Sequence, residues 1–256
     1  MLNIIRHGAS SDARPLLIAH GLFGSARNWG AIAKRLSDTR EVLAVDMRNH
    51  AGSFHDPLHD YPAMAQDLAQ VIAGEGRAVD VLGHSMGGKA VMMLALSRPE
   101  LVNRLIVADI APVAYPHSQS HLIAAMRGLD LTGLSARSEA DRRLAQSIDD
   151  APVRAFLLQS LDLKASPPVW RLNFEALERQ MDLITGWPDV SALPPFEGPA
   201  LFLAGGLSDY VQADARGAIK ALFPAAYIAR IPGAGHWLHA EKPREFEAAI
   251  RTFLDN

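Results

Sequence analysis

Cysteine is absent from the 256 residues, which removes disulfides, zinc-thiolate centres and cysteine nucleophiles at once. Excess charge is scarce too: charged residues make up 21% of the chain and the formal net charge is −3. No long-range field therefore selects a nucleic acid or an anionic membrane as partner, and a small or neutral ligand is expected instead. Long apolar runs are missing, since none approaches the ~20 residues of a membrane span. The opening stretch MLNIIRHGASSDARP has no basic segment followed by an apolar core of the kind that signal peptides carry. Together these absences predict a soluble, cytoplasmic protein and leave its oligomeric state open.

What the chain has in quantity is hydrophobic residues, 49% of the total, enough for one large core with material left over for an insertion. Short apolar runs at Leu16 to Ala19, Val42 to Val45, Val79 to Leu82, Leu105 to Ala108, Leu201 to Ala204 and Tyr227 to Ile231 read as strands buried on both faces. Between them lie helical patterns such as Trp29, Ile32 and Leu36, or Met64, Leu68 and Val71. Such alternation predicts an α/β fold with a mostly parallel sheet covered on both sides. It breaks from about 113 to 194, where helical patterns at Ser138 to Ile148, Pro152 to Leu161 and Asn173 to Ile184 follow one another without a convincing strand. An all-helical insertion at 113–194 in a core made of 1–112 and 195–256 is the simplest account. The last helix is expected to start near Pro243 and to carry Phe246, Ile250 and Phe253 on one face.

The stretch VDVLGHSMGGKAVMML, residues 79 to 94, supports two readings. Gly83 to Lys89 is nearly a phosphate-binding Gly-x-x-x-x-Gly-Lys, but the next residue is Ala90, which has no hydroxyl for a magnesium ion. Gly83-His84-Ser85-Met86-Gly87 instead matches Gly-x-Ser-x-Gly, in which a serine sits on a sharp turn between a buried strand and a helix. There the helix N-terminus places backbone N–H groups beside a developing oxyanion.

A serine hydroxyl needs a base, and histidine titrates in the right range. Of ten histidines, His236 is the best candidate, in the glycine-rich loop Pro232-Gly233-Ala234-Gly235-His236-Trp237. His84 is expected to point away from Ser85 and to be structural. His55, Asp56, His59 and Asp60 fall in an irregular polar loop, read as solvated rather than metal-binding. His117 and His121 have i, i+4 spacing but lack the glutamate of a zinc protease, so no metal is expected. Two aspartates at strand ends compete to orient the imidazole. Asp209 gives the order Ser85, Asp209, His236 and is favoured on that ground; Asp109 is the alternative. His20-Gly21-Leu22-Phe23-Gly24 follows a buried strand, so the backbone N–H groups of Leu22 and Met86 are the candidate oxyanion hole. Phe23, Met86, Trp237 and Leu238, with Leu122, Met126, Phe156 and Leu157 of the insertion, are candidates for an acyl pocket.

With these motifs, and with Asp46-Met47-Arg48-Asn49-His50 and Asp109-Ile110-Ala111-Pro112 in order, the chain resembles the α/β-hydrolase superfamily, and more narrowly the small bacterial YbfF-type esterases. The resemblance implies an eight-stranded, mostly parallel sheet with a helical cap after the sixth strand. It also implies hydrolysis of carboxylic esters or acyl thioesters by Ser85 and His236, with no metal or organic cofactor. One departure is that Ala51 separates His50 from Gly52, where the family has His-Gly. A carboxylate in place of Ser85 would have suggested a dehalogenase, and a missing triad member a non-enzymatic binding protein. Carbon-carbon bond hydrolases and perhydrolases share the serine triad and stay open as alternatives.

Overall fold

The computed structural model describes residues 1–255. Its strands are β1 (Ile4–His7), β2 (Leu16–Ala19), β3 (Val42–Val45), β4 (Val79–His84), β5 (Val102–Ala108), β6 (Leu161–Asp162), β7 (Val169–Trp170), β8 (Ala200–Gly205) and β9 (Ala226–Ile231). Seven of them form one sheet in the order β1-β3-β2-β4-β5-β8-β9. Every pairing in it is parallel except β1 with β3. The sheet thus has one strand fewer than the eight implied by resemblance. Only β1 precedes the parallel run, and the polar, turn-rich residues 8–15 (GASSDARP) connect it to β2.

The apolar runs were continuous because both faces of the strands are covered. Along β2, Leu17 and Ala19 join the core on one face while Leu16 and Ile18 join the core on the other. The same alternation separates Leu105 and Val107 from Ile106 and Ala108 on β5. Helices α1 (Gly30–Leu36) and, near the C-terminus, Pro243–Leu254 cover one face; α2 (Tyr61–Ala73) and α3 (Met86–Ser97) cover the other. The run at Tyr227 differs from expectation. As the edge strand it is buried only in part, and Tyr227 is 71% exposed.

Between β5 and β8 lie α4 (Ser120–Arg127), α5 (Arg137–Leu144), α6 (Ala151–Leu157), α7 (Phe174–Arg179) and α8 (Met181–Thr185). Two expectations need correcting here. The segment is not all-helical, since β6 and β7 pair antiparallel as a short ribbon. The pattern from Asn173 to Ile184 is two helices that break at Gln180. After β8 come α9 (Ala215–Leu222), α10 (Leu238–Glu241) and α11 (Pro243–Leu254). On α11 the third fully buried position is Leu254 rather than Phe253.

The sharpest local constraint is where β4 turns into α3. A Cβ on residue 83 would run into the Gly87 carbonyl oxygen, and one on residue 87 into the carbonyl oxygens of Ala19 and His20. A Cβ on residue 88 would meet Ile110 Cγ2 at 2.6 Å. Glycine is therefore required by close backbone approach. By contrast, Gly30 opens α1 with helical angles and open space around it. Gly83→Ala is expected to destabilise the fold by at least ~2 kcal/mol through overpacking, and Gly30→Ala to stabilise it by roughly 0.5 kcal/mol. Urea unfolding midpoints of the two variants against the parent check both signs.

Candidate active site

Ser85 sits at the tip of that turn with φ 52° and ψ −120°, a left-handed angle that a non-glycine residue adopts only under constraint. The constraint is visible. Its N–H is donated to Ala108 O at 3.1 Å, and its carbonyl accepts from Lys89 N–H at 3.0 Å. Strand β4 and helix α3 are thereby locked about the residue, which projects into a cavity of about 240 Å³.

His236 lines the same cavity from the loop after β9. Its Nδ1 lies 2.7 Å from Asp109 Oδ2, on the fully buried aspartate that ends β5. Asp109 is itself held at φ 52°, and its Oδ1 accepts from Gly205 N–H at 2.8 Å. Its Oδ2 also accepts a short hydrogen bond from Ser208 Oγ. A carboxylate so fixed makes Nδ1 the protonated ring nitrogen and leaves Nε2 as the acceptor. Tyr210 stacks on the imidazole with centroids 4.0 Å apart, and His84 Nε2 donates to the His236 carbonyl at 2.8 Å. His84 is thus a buried neighbour that braces the loop.

The favoured acid, Asp209, is not at the imidazole. It is exposed and accepts a hydrogen bond from Gln212 Nε2 at 3.2 Å. The cause lies in the β8 loop. Gly206 N–H is donated to Ile231 O and Leu207 N–H to Ala234 O, which ties this loop to the one bearing His236. So anchored, it turns Ser208 inward and the next residue outward. The carboxylate on His236 is the alternative, Asp109.

Leu22 and Met86 line the cavity together with Ser85. The Met86 N–H opens α3, where first-turn donors have no intrahelical acceptor. Leu22 lies in a turn shaped by residues that local spacing did not reveal. Phe23 is held at φ 64° with its N–H donated to His50 Nε2 at 3.1 Å and its carbonyl accepting from Ser160 Oγ at 2.7 Å. His20 donates from Nδ1 to Gly21 O and accepts from Met47 N–H at Nε2. His59, expected in a solvated loop, is fully buried with Nε2 3.4 Å from Met86 Sδ. The loop carrying His50 and His59 is clamped by Arg48, whose Nε and NH2 group reach Asp67 at 2.6 and 3.0 Å. The extra residue Ala51 is absorbed at φ 47°, next to Asn49 at φ 65°. Of the pocket candidates, Phe23, Met86, Trp237, Leu122, Phe156 and Leu157 line the cavity, while Met126 and Leu238 are core.

Burial sets the charge of this histidine network. It holds His20 below the ordinary 6.5 and His50 and His84 well below it, and it pushes His59 and His239 down to about 3. Neutral rings can accept the N–H groups of Phe23 and Met47; imidazolium rings cannot. Among the described residues no group of histidines and carboxylates has the arrangement of a metal site, and no helix is long and apolar enough to cross a membrane.

Comparison with known proteins places these features in context. A model of the alpha/beta hydrolase family matches residues 16–249. The chain is 42% identical to the mouse sn-1-specific diacylglycerol lipase ABHD11 across 93% of this chain and 80% of that protein. It is 39% identical to esterase YbfF of Escherichia coli across 94% and 93% of the two chains. Among solved structures it superimposes on a marine microorganism esterase with a TM-score of 0.92 and 38% identity, covering 98% of each chain.

The network has a consequence for stability. Unfolded histidines titrate near 6.5 and the buried ones below it, so the unfolded chain binds more protons under mild acid. The stability held by the neutral rings is complete well above pH 6.5 and is lost as pH falls through that value, at up to about 1.4 kcal/mol per pH unit for each ring held well below it. Urea midpoints are expected to drop from pH 6.5 to 5, and His59→Gln to make that drop shallower. A midpoint level over this range contradicts the account.

Proposed function

The chain belongs to the alpha/beta hydrolase family, and from that premise we propose that it is a serine esterase using Ser85, His236 and Asp109 on small carboxylic esters or acyl thioesters. The single observation that carries the reading is the 2.7 Å contact of His236 Nδ1 with buried Asp109, facing the cavity into which the strained Ser85 turn projects.

His236 Nε2, freed by the bond at Nδ1, takes the proton of Ser85 Oγ as that oxygen attacks the carbonyl carbon. No hydrogen bond joins Ser85 Oγ to the ring among the described residues; such contacts tighten when substrate fills the site. The carbonyl oxygen becomes an oxyanion within reach of the Leu22 and Met86 N–H groups, and loss of one such donor commonly costs ~10²-fold or more. Collapse of the tetrahedral intermediate breaks the bond to the alcohol or thiol, which leaves with the proton from His236. Water, deprotonated by the same ring, then cleaves the acyl-enzyme and restores Ser85. Asp109 stays ionised throughout, holding the tautomer and stabilising the imidazolium. The segment 113–194 acts as a cap, since Leu122, Phe156 and Leu157 supply apolar lining to the cavity that holds the nucleophile.

Two expected outcomes test this reading. Ser85→Ala is expected to lose about 10⁴-fold or more in kcat on p-nitrophenyl butyrate and all labelling by a serine-reactive phosphonate; a labelled or active variant overturns it. Asp109→Asn is expected to lose roughly 10⁴-fold in kcat while Asp209→Asn keeps parental turnover, with circular dichroism confirming that both fold. The reverse pattern would return the acid's role to Asp209.

A further inference from the structure

Lys89 is a buried cation that takes no part in the chemistry above, yet it lines the same cavity as Ser85. It lies on α3 four residues after the serine, about 6 Å along the helix axis, and is 1% exposed. Its Nζ donates to Thr185 O at 3.0 Å and Gly186 O at 2.6 Å, the carbonyls that end α8. The rings of Tyr115 and Tyr61 flank it, with centroids 4.8 and 5.6 Å away.

These contacts orient the amine but do not neutralise it. An ammonium has three N–H donors, and the two carbonyls take two of them. No carboxylate pairs with Lys89 among the described residues. The titratable groups packed against it are Tyr61 and Tyr115, whose phenols burial pushes up, so neither supplies a counter-charge near neutrality. Burial accordingly pushes Lys89 down to about 7. Buried charges in proteins are normally paired, and Lys89 lines the cavity that Ser85 also lines.

We propose that Lys89 is a specificity-determining residue that recognises an acyl chain ending in a carboxylate. The ester carbonyl sits at Ser85, and the distal carboxylate accepts the remaining N–H of Lys89 across a short chain of methylenes. This rests on the serine-esterase reading of the same cavity and adds the class of acyl group that it prefers. The pairing is charge-assisted, and its desolvation is already borne by the folded protein, so the site is preorganised for the anion. Cleavage then leaves a dicarboxylic half-acid on Ser85 and, after water attack, a free dicarboxylate.

The test compares monoethyl glutarate with the neutral isostere ethyl 4-nitrobutyrate, following ethanol release. The parent is expected to favour the anionic ester in kcat/KM, and Lys89→Met to lower the ratio of the two by at least about tenfold, the usual weight of a charged hydrogen bond. A lysine that only pins the turn at residues 185 and 186 would slow both esters alike, and an unchanged ratio overturns the proposal. Should Lys89→Met fail to fold, the parent alone decides. The triad's own titration cancels in the ratio, so preference for the glutarate ester should decline from pH 6 to pH 8 as Lys89 loses its proton, and a flat ratio overturns it. Turnover of neither ester would overturn the catalytic reading; the subsite is then tested by calorimetric binding of monoethyl glutarate to Ser85→Ala, where absence of binding refutes it.

Discussion

The contact of backbone on backbone at the end of β4 is the constraint on which the site depends. Two polypeptide segments come together there more closely than any side chain permits, with the Gly87 carbonyl against residue 83 and the Ala19 and His20 carbonyls against residue 87. That approach draws the start of α3 down onto the sheet and forces Ser85 into a left-handed angle. Strain of this kind costs on the order of 1–3 kcal/mol, and it persists because two backbone hydrogen bonds and the surrounding core over-determine the turn. The result is a hydroxyl lifted clear of the sheet, with the first-turn N–H groups of a helix beside it.

His236, which shares the cavity with that hydroxyl, and Asp109, which bonds its ring, come from the C-terminal ends of neighbouring parallel strands. Strand β5 lies beside β4 and ends in Asp109; β8 lies beside β5 and ends in the loop of Ser208; β9 lies beside β8 and runs into the loop of His236. Adjacency in the sheet thus converts residues more than a hundred positions apart into hydrogen-bonded neighbours. It also explains why an acid at the end of β5 reaches the imidazole. Ser208 closes over the carboxylate from β8, so that strand contributes a hydroxyl where its own aspartate faces solvent.

Much of this was legible in the sequence, for a physical reason in each case. The strands declared themselves because burial on both faces leaves no room for polar alternation, as at Leu16 to Ala19. The Ser85 turn was visible because close approach demands glycine at fixed spacing, and the loop of His236 because it is too glycine-rich to be core. Edge strand β1 escaped notice, being short and only half-buried. The pairing of His236 with Asp109 was open between two acids because chain order does not encode which way a loop turns its side chains. The roles of His20, His50 and His59 were hidden more deeply. Their hydrogen bonds reach residues up to 27 positions away, and no local pattern distinguishes a buried acceptor imidazole from a solvated one.

Those same histidines tie the segment between β5 and β8 to the loops around the cavity. Phe23, whose N–H rests on His50, accepts from Ser160 of that segment at its carbonyl. Asn49 and Ala51, flanking His50, exchange backbone hydrogen bonds with Asn173 and Arg171. On the far side of the cavity, Tyr61 and Lys89 of the core take the carbonyls of Ile184, Thr185 and Gly186. Residues 158–186 are therefore laced at both ends to loops that shape the cavity, one of which carries Leu22. A segment held in this way cannot swing as an independent lid without pulling on the Phe23 turn, since the Ser160 bond would have to break first. The residues before α4 meet the core through a hydrogen bond from Tyr115 Oη to Tyr210 O at 2.6 Å and one between His117 Nε2 and the Tyr210 hydroxyl at 2.9 Å, beside tilted and edge-on ring contacts among the three. Tyr210 also stacks on His236, so the start of this segment and the imidazole share one packing partner.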